Sequence, residues 1–190
     1  MRHLTSPHAA AGGKVARMLW RLRILWYRLD KAALAFAVFF GALVGALAFA
    51  AGMAFSEREA EQVRMREFHA RSLECLALNI YHEARGEPSD GQYAVAEVTM
   101  NRRAARGYPN TVCEVVYQRA AFSWTDYSTV LAPPTGPEWE RAQRIAEAVY
   151  YQKRLPVLQG ALFYHATYVR PDWSKERRRI AQIGRHVFYR

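Results

Sequence analysis

Two glutamates stand at the end of an apolar helical segment and are the first candidates for chemistry. Glu83 and Glu87 lie in the run NIYHEARGEPSDGQYAVAEVTMNR, residues 79–102. A carboxyl group partly removed from water has a raised pKa, because burial disfavours its charged form. Such a group suits general acid catalysis, which makes Glu83 a candidate for this role. Glu87 precedes Pro88 at a turn, and its alternative role is structural, as an acceptor of backbone N–H groups that pairs with Arg85.

The same run does not hold a zinc motif. His82 and Glu83 begin like HExxH, but position 86 is Gly, so the second histidine is missing. The two cysteines exclude a four-cysteine metal site, and the sequence shows no glycine-rich phosphate loop. We therefore expect an enzyme that works without a metal or another cofactor.

The elements that must position these residues follow from periodicity and capping signals. Apolar residues at helical spacing predict helices over 72–85, 89–102, 111–118 and 137–149. Ser89 with Gln92, and Thr111 with Glu114, have the spacing of capping boxes. A loop is predicted over 119–136, and aromatic and β-branched residues predict short strands in 161–169 and 180–190. The fold class is therefore α+β, with a central buried second helix and a small C-terminal sheet.

Several motifs in order resemble the SleB/CwlJ-type cell wall hydrolase family. They are CLALNIYHEARGEPSDGQYAVAEVTMNRR, YPNTVCEVVYQ, FSWT, FYHATYVRPDW and IGRHVFYR, and together they span residues 73–190. The resemblance implies a compact lysozyme-like fold that cleaves the bond between N-acetylmuramic acid and N-acetylglucosamine in peptidoglycan. It also implies that Glu83, the first acid of the EARGE run, is catalytic.

The resemblance extends to a set of substrate-binding candidates, each with a competing structural interpretation. Gln92 also fits the capping box, Trp124 also fits core packing, and His165 also fits a hydrogen-bonded core position. The predicted substrate-binding residues are Glu87, Gln92, Ser123, Trp124, Tyr164 and His165. His186 is expected to be structural, Asn101 a buried hydrogen-bonding anchor and Arg102 a partner at the helix end.

Three functional alternatives remain at this stage. With Glu83 as the single acid and base, the family resemblance implies a lytic transglycosylase. Simple hydrolysis needs a second carboxylate to activate water, and Asp126 after FSWT is the best candidate. The third alternative is a catalytically idle relative that binds peptidoglycan or scaffolds a membrane complex.

Charge and hydropathy divide the chain before the helical region. Residues 1–31 carry seven Lys or Arg and one acid, and residues 32–55 carry no charge. An uncharged segment of this length exceeds the bilayer core of about 30 Å, which predicts a transmembrane anchor. A long cleaved signal and a buried soluble helix are the alternatives. The cationic flank places the N-terminus in the cytoplasm and the rest beyond the membrane, in the periplasm.

The predicted domains follow from this division. They are a basic cytoplasmic arm (1–31), the anchor (32–55), a stalk (56–71) and a catalytic domain (72–190). The net positive charge resides mainly in the juxtamembrane arm. We therefore expect this arm to contact anionic lipid rather than nucleic acid. Gly41 and Gly45 form a GxxxG motif, a weak signal for self-association of the anchor.

The two cysteines, Cys75 and Cys113, both lie in the predicted exported part, where a disulfide can form. Two buried free thiols are the alternative. Relatives of the family type often carry further cysteines around FSW, whereas this chain has Ala120 and Ala121 there.

Overall fold

The computed structural model describes residues 9–28, 30–127 and 134–190. Within these ranges the chain forms two compact units, one ending at Glu61 and one spanning Gln62–Arg190. Parts of the predicted basic arm (1–8 and 29) and of the predicted loop (128–133) lie outside the described residues.

The first unit consists of helical segments without a core of their own. Helix α1 spans Ala9–Arg28, and helix α2 spans Lys31–Ala84 and continues into the second unit. Every described side chain of the first unit is exposed, including large apolar ones such as Phe36 and Phe39. Among the described helices, α2 is the one with a segment long and apolar enough to cross a membrane.

The second unit is built on four helices, and their limits largely match the prediction. The end of α2 packs with α3 (Ser89–Ala104), α4 (Val112–Val116) and α5 (Pro137–Tyr150). The predicted helix over 72–85 is therefore the last part of a longer helix. The predicted loop over 119–136 contains a short 3-10 helix at Ser123–Tyr127.

Of the two predicted capping boxes, one is confirmed and one is wrong. Thr111 accepts the backbone N–H of Glu114 at 3.3 Å and donates its hydroxyl to that carboxylate at 2.7 Å. At α3 the N-cap position belongs to Pro88, and no side chain caps the helix there. Ser89 is therefore already the first helical residue, one position too late to cap.

Helix α3 is central and buried, as the sequence predicts. Its residues Val95, Ala96, Val98 and Thr99 are inaccessible to solvent. One core cluster joins α2, α4 and α5 around Ala96, and a second joins α3 to the sheet around Val95 and Val98.

The C-terminal segments form one antiparallel sheet of three strands in the order β1-β3-β2. The strands are β1 (Phe163–Ala166), β2 (Arg179–Ile183) and β3 (His186–Tyr189), and β3 is buried along its whole length. The predicted strand region 180–190 is thus a hairpin. Its turn contains Gly184 with a φ of +58°, a backbone conformation that glycine adopts without strain.

A disulfide joins Cys75 on α2 to Cys113 on α4, which decides between the two alternatives left by the sequence. It closes a loop with a sequence separation of 38 residues. This loop includes Glu83 at the end of α2 and all of α3, so the crosslink constrains both helices.

Candidate active site

Glu83 lies in the last turn of α2 and is held by a residue from the sheet. The hydroxyl of Tyr164, on β1, donates a hydrogen bond of 2.9 Å to Oε2 of Glu83. The contact joins residues 81 positions apart, so it depends on the packing of the sheet beside the end of α2.

The surroundings of Glu83 favour its protonated form. Burial raises the pKa of the Glu83 carboxyl, and this effect outweighs the hydrogen bond from Tyr164 and the positive charge of Arg102, which both lower it. The phenol of Tyr164 stays neutral, because burial and the nearby Glu83 raise its pKa well above the usual value. The site therefore combines a carboxyl group of raised pKa with a neutral hydrogen-bond donor, an arrangement that suits general acid catalysis.

A cavity of about 300 Å³ surrounds this carboxyl group. We call it the Glu83 cavity. Its walls come from the ends of α2 and α3, the short 3-10 helix and the sheet. Its polar lining residues include Arg102, Ser123, Tyr164, His165, Tyr168 and His186. Among the described residues that line it, Glu83 is the only carboxylic acid.

Two of the predicted binding residues lie in this cavity beside Tyr164. Ser123 is exposed on the short 3-10 helix. His165 is half-buried on β1, where its Nδ1 donates to the carbonyl of Ala166 at 2.9 Å and its Nε2 lies 2.9 Å from the hydroxyl of Tyr189. Both ring nitrogens are thus engaged by protein groups, so the predicted hydrogen-bonded core role also fits this histidine.

Trp124 lies beside the Glu83 cavity and does not line it. Its indole N–H donates to Oδ1 of Asn79 at 3.1 Å, and its ring stacks on His82 with centroids 4.5 Å apart. The ring is half-buried, so Trp124 both packs against its neighbours and exposes part of its surface. Burial, with the charge of Arg85, lowers the pKa of His82 and keeps this imidazole neutral.

Glu87 and Gln92 lie in the interior and do not fit the predicted substrate contact. Glu87 is 7% exposed and accepts the backbone N–H of Arg185 at 2.8 Å and the guanidinium of that residue at 2.7 Å. The side-chain amide of Gln92, 1% exposed, donates to the carbonyl of Glu87 at 3.0 Å. Glu87 thus holds the β2–β3 turn against the α2–α3 turn, and Gln92 braces the α2–α3 turn itself.

The partner of Glu87 differs from the predicted one. The guanidinium of Arg85 lies over the ring of Tyr81 at 4.9 Å instead. Burial alone raises the pKa of Glu87, but the hydrogen bonds from the backbone and side chain of Arg185, with the positive charge of that guanidinium, outweigh it and bring that pKa below its usual value. Glu87 is therefore an ionised structural anchor.

His186 faces both this anchor and the Glu83 cavity. It is 8% exposed, and its ring packs edge-on against Tyr164 with centroids 5.1 Å apart. Burial lowers the pKa of His186 more than the nearby Glu87 raises it, so the ring is neutral. Its packing fits the expected structural role.

Arg102 is a site residue that the sequence interpretation missed. Its Nε donates to the carbonyl of Leu162 at 2.8 Å, which fits the predicted role at the helix end. Its charge also acts on Glu83 within the same cavity. Asn101 beside it donates to the carbonyl of Ala161 at 3.1 Å, so this pair fixes the start of β1. The signal available in the sequence was that Asn101 and Arg102 stand next to each other at the end of an apolar helix.

The other candidate acids stay apart from Glu83. Asp126 is exposed on the short 3-10 helix and does not line the Glu83 cavity. Glu97 is 6% exposed and accepts the backbone N–H groups of Val157 and Leu158 at 2.7 and 2.6 Å. In the described part of the chain, no group of three His, Cys, Asp or Glu residues is arranged to hold a metal ion.

Comparison with known proteins places this geometry in a family. The model of the family described as Cell Wall Hydrolase matches residues 86–189, more than half of the chain. The chain belongs to this cell wall hydrolase family. The match begins three residues after Glu83, so the role of that acid rests on the geometry and on the motif resemblance.

Curated relatives of this cell wall hydrolase chain are spore cortex-lytic enzymes. That of Oceanobacillus iheyensis is 33% identical over 133 residues, covering 64% of this chain and 42% of the relative. That of Bacillus subtilis is 31% identical over 121 residues, covering 64% of this chain and 38% of the relative. The chain thus spans less than half the length of the curated relatives it matches.

Two solved structures share the fold. The catalytic domain of the Bacillus cereus SleB protein is 29% identical with a TM-score of 0.55, covering 63% of this chain and 89% of that domain. The catalytic domain of the germination-specific lytic transglycosylase SleB from Bacillus anthracis gives the same identity and TM-score and is covered to 93%. The predicted α+β architecture is thereby confirmed as that of a SleB catalytic domain.

Proposed function

We propose that this chain cleaves the bond between N-acetylmuramic acid and N-acetylglucosamine in peptidoglycan glycan strands, with Glu83 as its single general acid and base. The observation that carries the proposal is the Glu83 carboxyl group, which is half-buried, hydrogen-bonded to Tyr164 and the only carboxyl group among the described residues that line its cavity. Membership of the cell wall hydrolase family and the similarity to a lytic transglycosylase domain support it.

The proposed reaction needs one carboxyl group twice. Protonated Glu83 donates its proton to the glycosidic oxygen as the bond to the muramic acid carbon breaks, and the substrate's N-acetyl group stabilises the cationic centre. The Glu83 carboxylate then takes the proton of the muramic acid C6 hydroxyl, whose oxygen closes on that centre. The products are a free N-acetylglucosamine hydroxyl and a 1,6-anhydro end, and Glu83 regains its proton.

The neighbours of Glu83 have separate roles in this scheme. The Tyr164 hydroxyl orients the carboxyl group and stabilises its ionised form after proton transfer, as does the charge of Arg102. Burial stabilises the protonated form before transfer. Opposed influences of this kind keep the two forms close in free energy, which a group acting as both acid and base requires.

The test uses the full chain in detergent and isolated peptidoglycan sacculi. Glu83→Gln keeps the shape of the side chain but removes its proton chemistry, and we expect loss of at least about 100-fold in the rate of muropeptide release. Glu138→Gln, at an exposed position on α5, is the matched control and keeps the wild-type rate. Equal rates for the Glu83 variant and wild type would contradict the proposal. A loss in Asp126→Asn would point to hydrolysis.

We also propose that residues 32–55 anchor the chain in the inner membrane, with a cytoplasmic N-terminus and a periplasmic catalytic domain over 72–190. The exposed apolar side chains of this part of α2 support an environment of lipid. The cationic residues before it support the orientation. Residues 56–71 are then a helical stalk. Gly41 and Gly45 have open space around them, which leaves room for a second helix.

A further inference from the structure

A second and larger cavity lies between α2 and α5. Its volume is about 690 Å³, within the range of about 300–1,000 Å³ that is usual for ligand pockets. We call it the α2–α5 groove. Its aromatic residues are His82, Tyr117, Trp124, Trp139 and Tyr151. All described residues of the groove belong to the second unit.

The aromatic walls of the groove are fixed by contacts with residues of α2. Trp124 is held through its N–H by Asn79, which itself donates to Thr99 at 3.1 Å in the buried core. Trp139 packs edge-on against Tyr81 with ring centroids 6.0 Å apart. Rings held in this way present flat apolar faces without further loss of side-chain entropy on binding. The apolar C–H faces of pyranose rings are suited to such surfaces.

The polar residues of the groove suit an uncharged ligand with many hydroxyl groups. Glu74, Gln143 and Glu147 supply carboxylate and amide oxygens, and all three are exposed. Lys153 pairs with Glu147 at 2.6 Å from outside the lining. No lysine or arginine is among the described residues that line the groove, so an anionic ligand finds no counter-charge there.

The groove adjoins the Glu83 cavity. His82 lines both cavities and precedes the candidate acid in the chain. The short 3-10 helix also faces both, because Ser123 lines the Glu83 cavity and Trp124 lines the groove. A chain molecule bound at Glu83 therefore reaches the groove if it extends past the stacked rings of His82 and Trp124.

We propose that the α2–α5 groove binds additional sugar residues of the glycan strand whose scissile bond lies at Glu83. The inference rests on the proposed function and assigns recognition of strand length to α5. The occupant is the uncharged N-acetylhexosamine backbone rather than the stem peptide, because the stem peptide and the groove both carry carboxylates, and like charges repel. The groove thus favours long strands over single disaccharides.

The test measures binding without cleavage, in the full-length Glu83→Gln chain in detergent. The probes are long chains of N-acetylglucosamine, which are uncharged, the disaccharide of N-acetylglucosamine, and peptidoglycan strands that retain their stem peptides. We expect Tyr151→Ala and Gln143→Ala each to weaken binding of the long uncharged chain about tenfold and to leave disaccharide binding unchanged. Both side chains are exposed, so neither substitution removes a core contact of the fold. Leu155→Ala, 87% exposed and outside the groove, is the control and binds as the parent does.

Two results would overturn the inference. Long-strand affinities of Tyr151→Ala and Gln143→Ala equal to that of the control would show that the groove takes no sugar. Weakening seen only with peptide-bearing strands would assign the groove to the stem peptide. Neither result depends on catalysis, so wild-type cleavage of sacculi separately decides whether the proposed function itself stands.

Discussion

The proton on Glu83 is controlled by neighbours that act in opposite directions. Burial favours the neutral acid, whereas the Tyr164 hydroxyl and the Arg102 charge favour the carboxylate, and burial dominates. If protonated Glu83 starts the reaction, activity is high below the folded-state pKa of that group and falls as the pH rises through it. The pH profile therefore reports directly on these contacts.

Tyr164→Phe tests this balance at the scale of one hydrogen bond. Removing the hydroxyl takes away a bond that stabilises the ionised carboxylate, so the pKa of Glu83 rises further. We expect the alkaline limb of the kcat profile to move to higher pH, with a lower maximal rate because proton transfer leaves a less stable carboxylate. A limb that stays in place or moves to lower pH would show that Tyr164 does not act on the catalytic proton.

At the scale of elements, the sheet reaches Glu83 because the β2–β3 turn is fastened to the α2–α3 turn. Glu87 makes the connection through the backbone and side chain of Arg185, and Gly184 lets the turn approach closely. A Cβ at Gly184 would overlap the Glu87 carboxylate and lie 2.9 Å from the ring of Pro88. Glu87 thus fixes the position of the β2–β3 hairpin against the helices.

Glu87→Gln tests this connection. The amide loses its charge and cannot accept both hydrogen bonds, which costs about 2 kcal/mol in the free energy of unfolding at neutral pH. The folded-state pKa of Glu87 is lowered, so its stabilising contribution is present at pH values above the unfolded pKa and is lost as the pH falls through the folded pKa. Urea titrations at neutral and acidic pH measure this difference, with Glu138→Gln as the control. A difference from wild type that persists unchanged in acid would contradict the electrostatic role.

What sequence alone predicts is set by how local each signal is. Thr111 with Glu114, Pro137 at the start of α5 and the apolar spacing of α3 depend on neighbours within one or two turns, and the structure confirms them. The Ser89 capping box fails because Pro88 already occupies the N-cap position.

Long-range partners follow no such local rule. Glu87 finds Arg185, 98 positions away, rather than the nearby Arg85. The sequence predicts that Tyr164 lies on a strand, but the hydrogen bond of Tyr164 to Glu83 depends on the order of strands in the sheet. The α5 residues of the groove carried no motif at all, because aromatic residues on a helix are typical of core packing.

At the scale of the whole molecule, the proposed anchor restricts where the proposed activity acts. The apolar part of α2 has no buried side chains, so its surface needs a partner such as lipid. We expect the full chain to stay in the membrane fraction after alkaline carbonate extraction and a variant lacking residues 32–55 not to. A protease added to spheroplasts should remove residues 72–190 and spare the N-terminal arm. Full protection of the catalytic domain would contradict the proposed orientation.

In the proposed mechanism Glu83 is the one carboxyl group that cleaves the strand, and its own base step closes a 1,6-anhydro ring without water. The most direct measurement is digestion of isolated sacculi by the full chain in ¹⁸O-labelled water, followed by mass spectrometry of the released muropeptides. We predict that wild type releases anhydro-muramyl products without label and that Glu83→Gln releases no muropeptides. Reducing muramic acid ends carrying one ¹⁸O atom would show that water completes the reaction, and would contradict a single-carboxylate lytic mechanism.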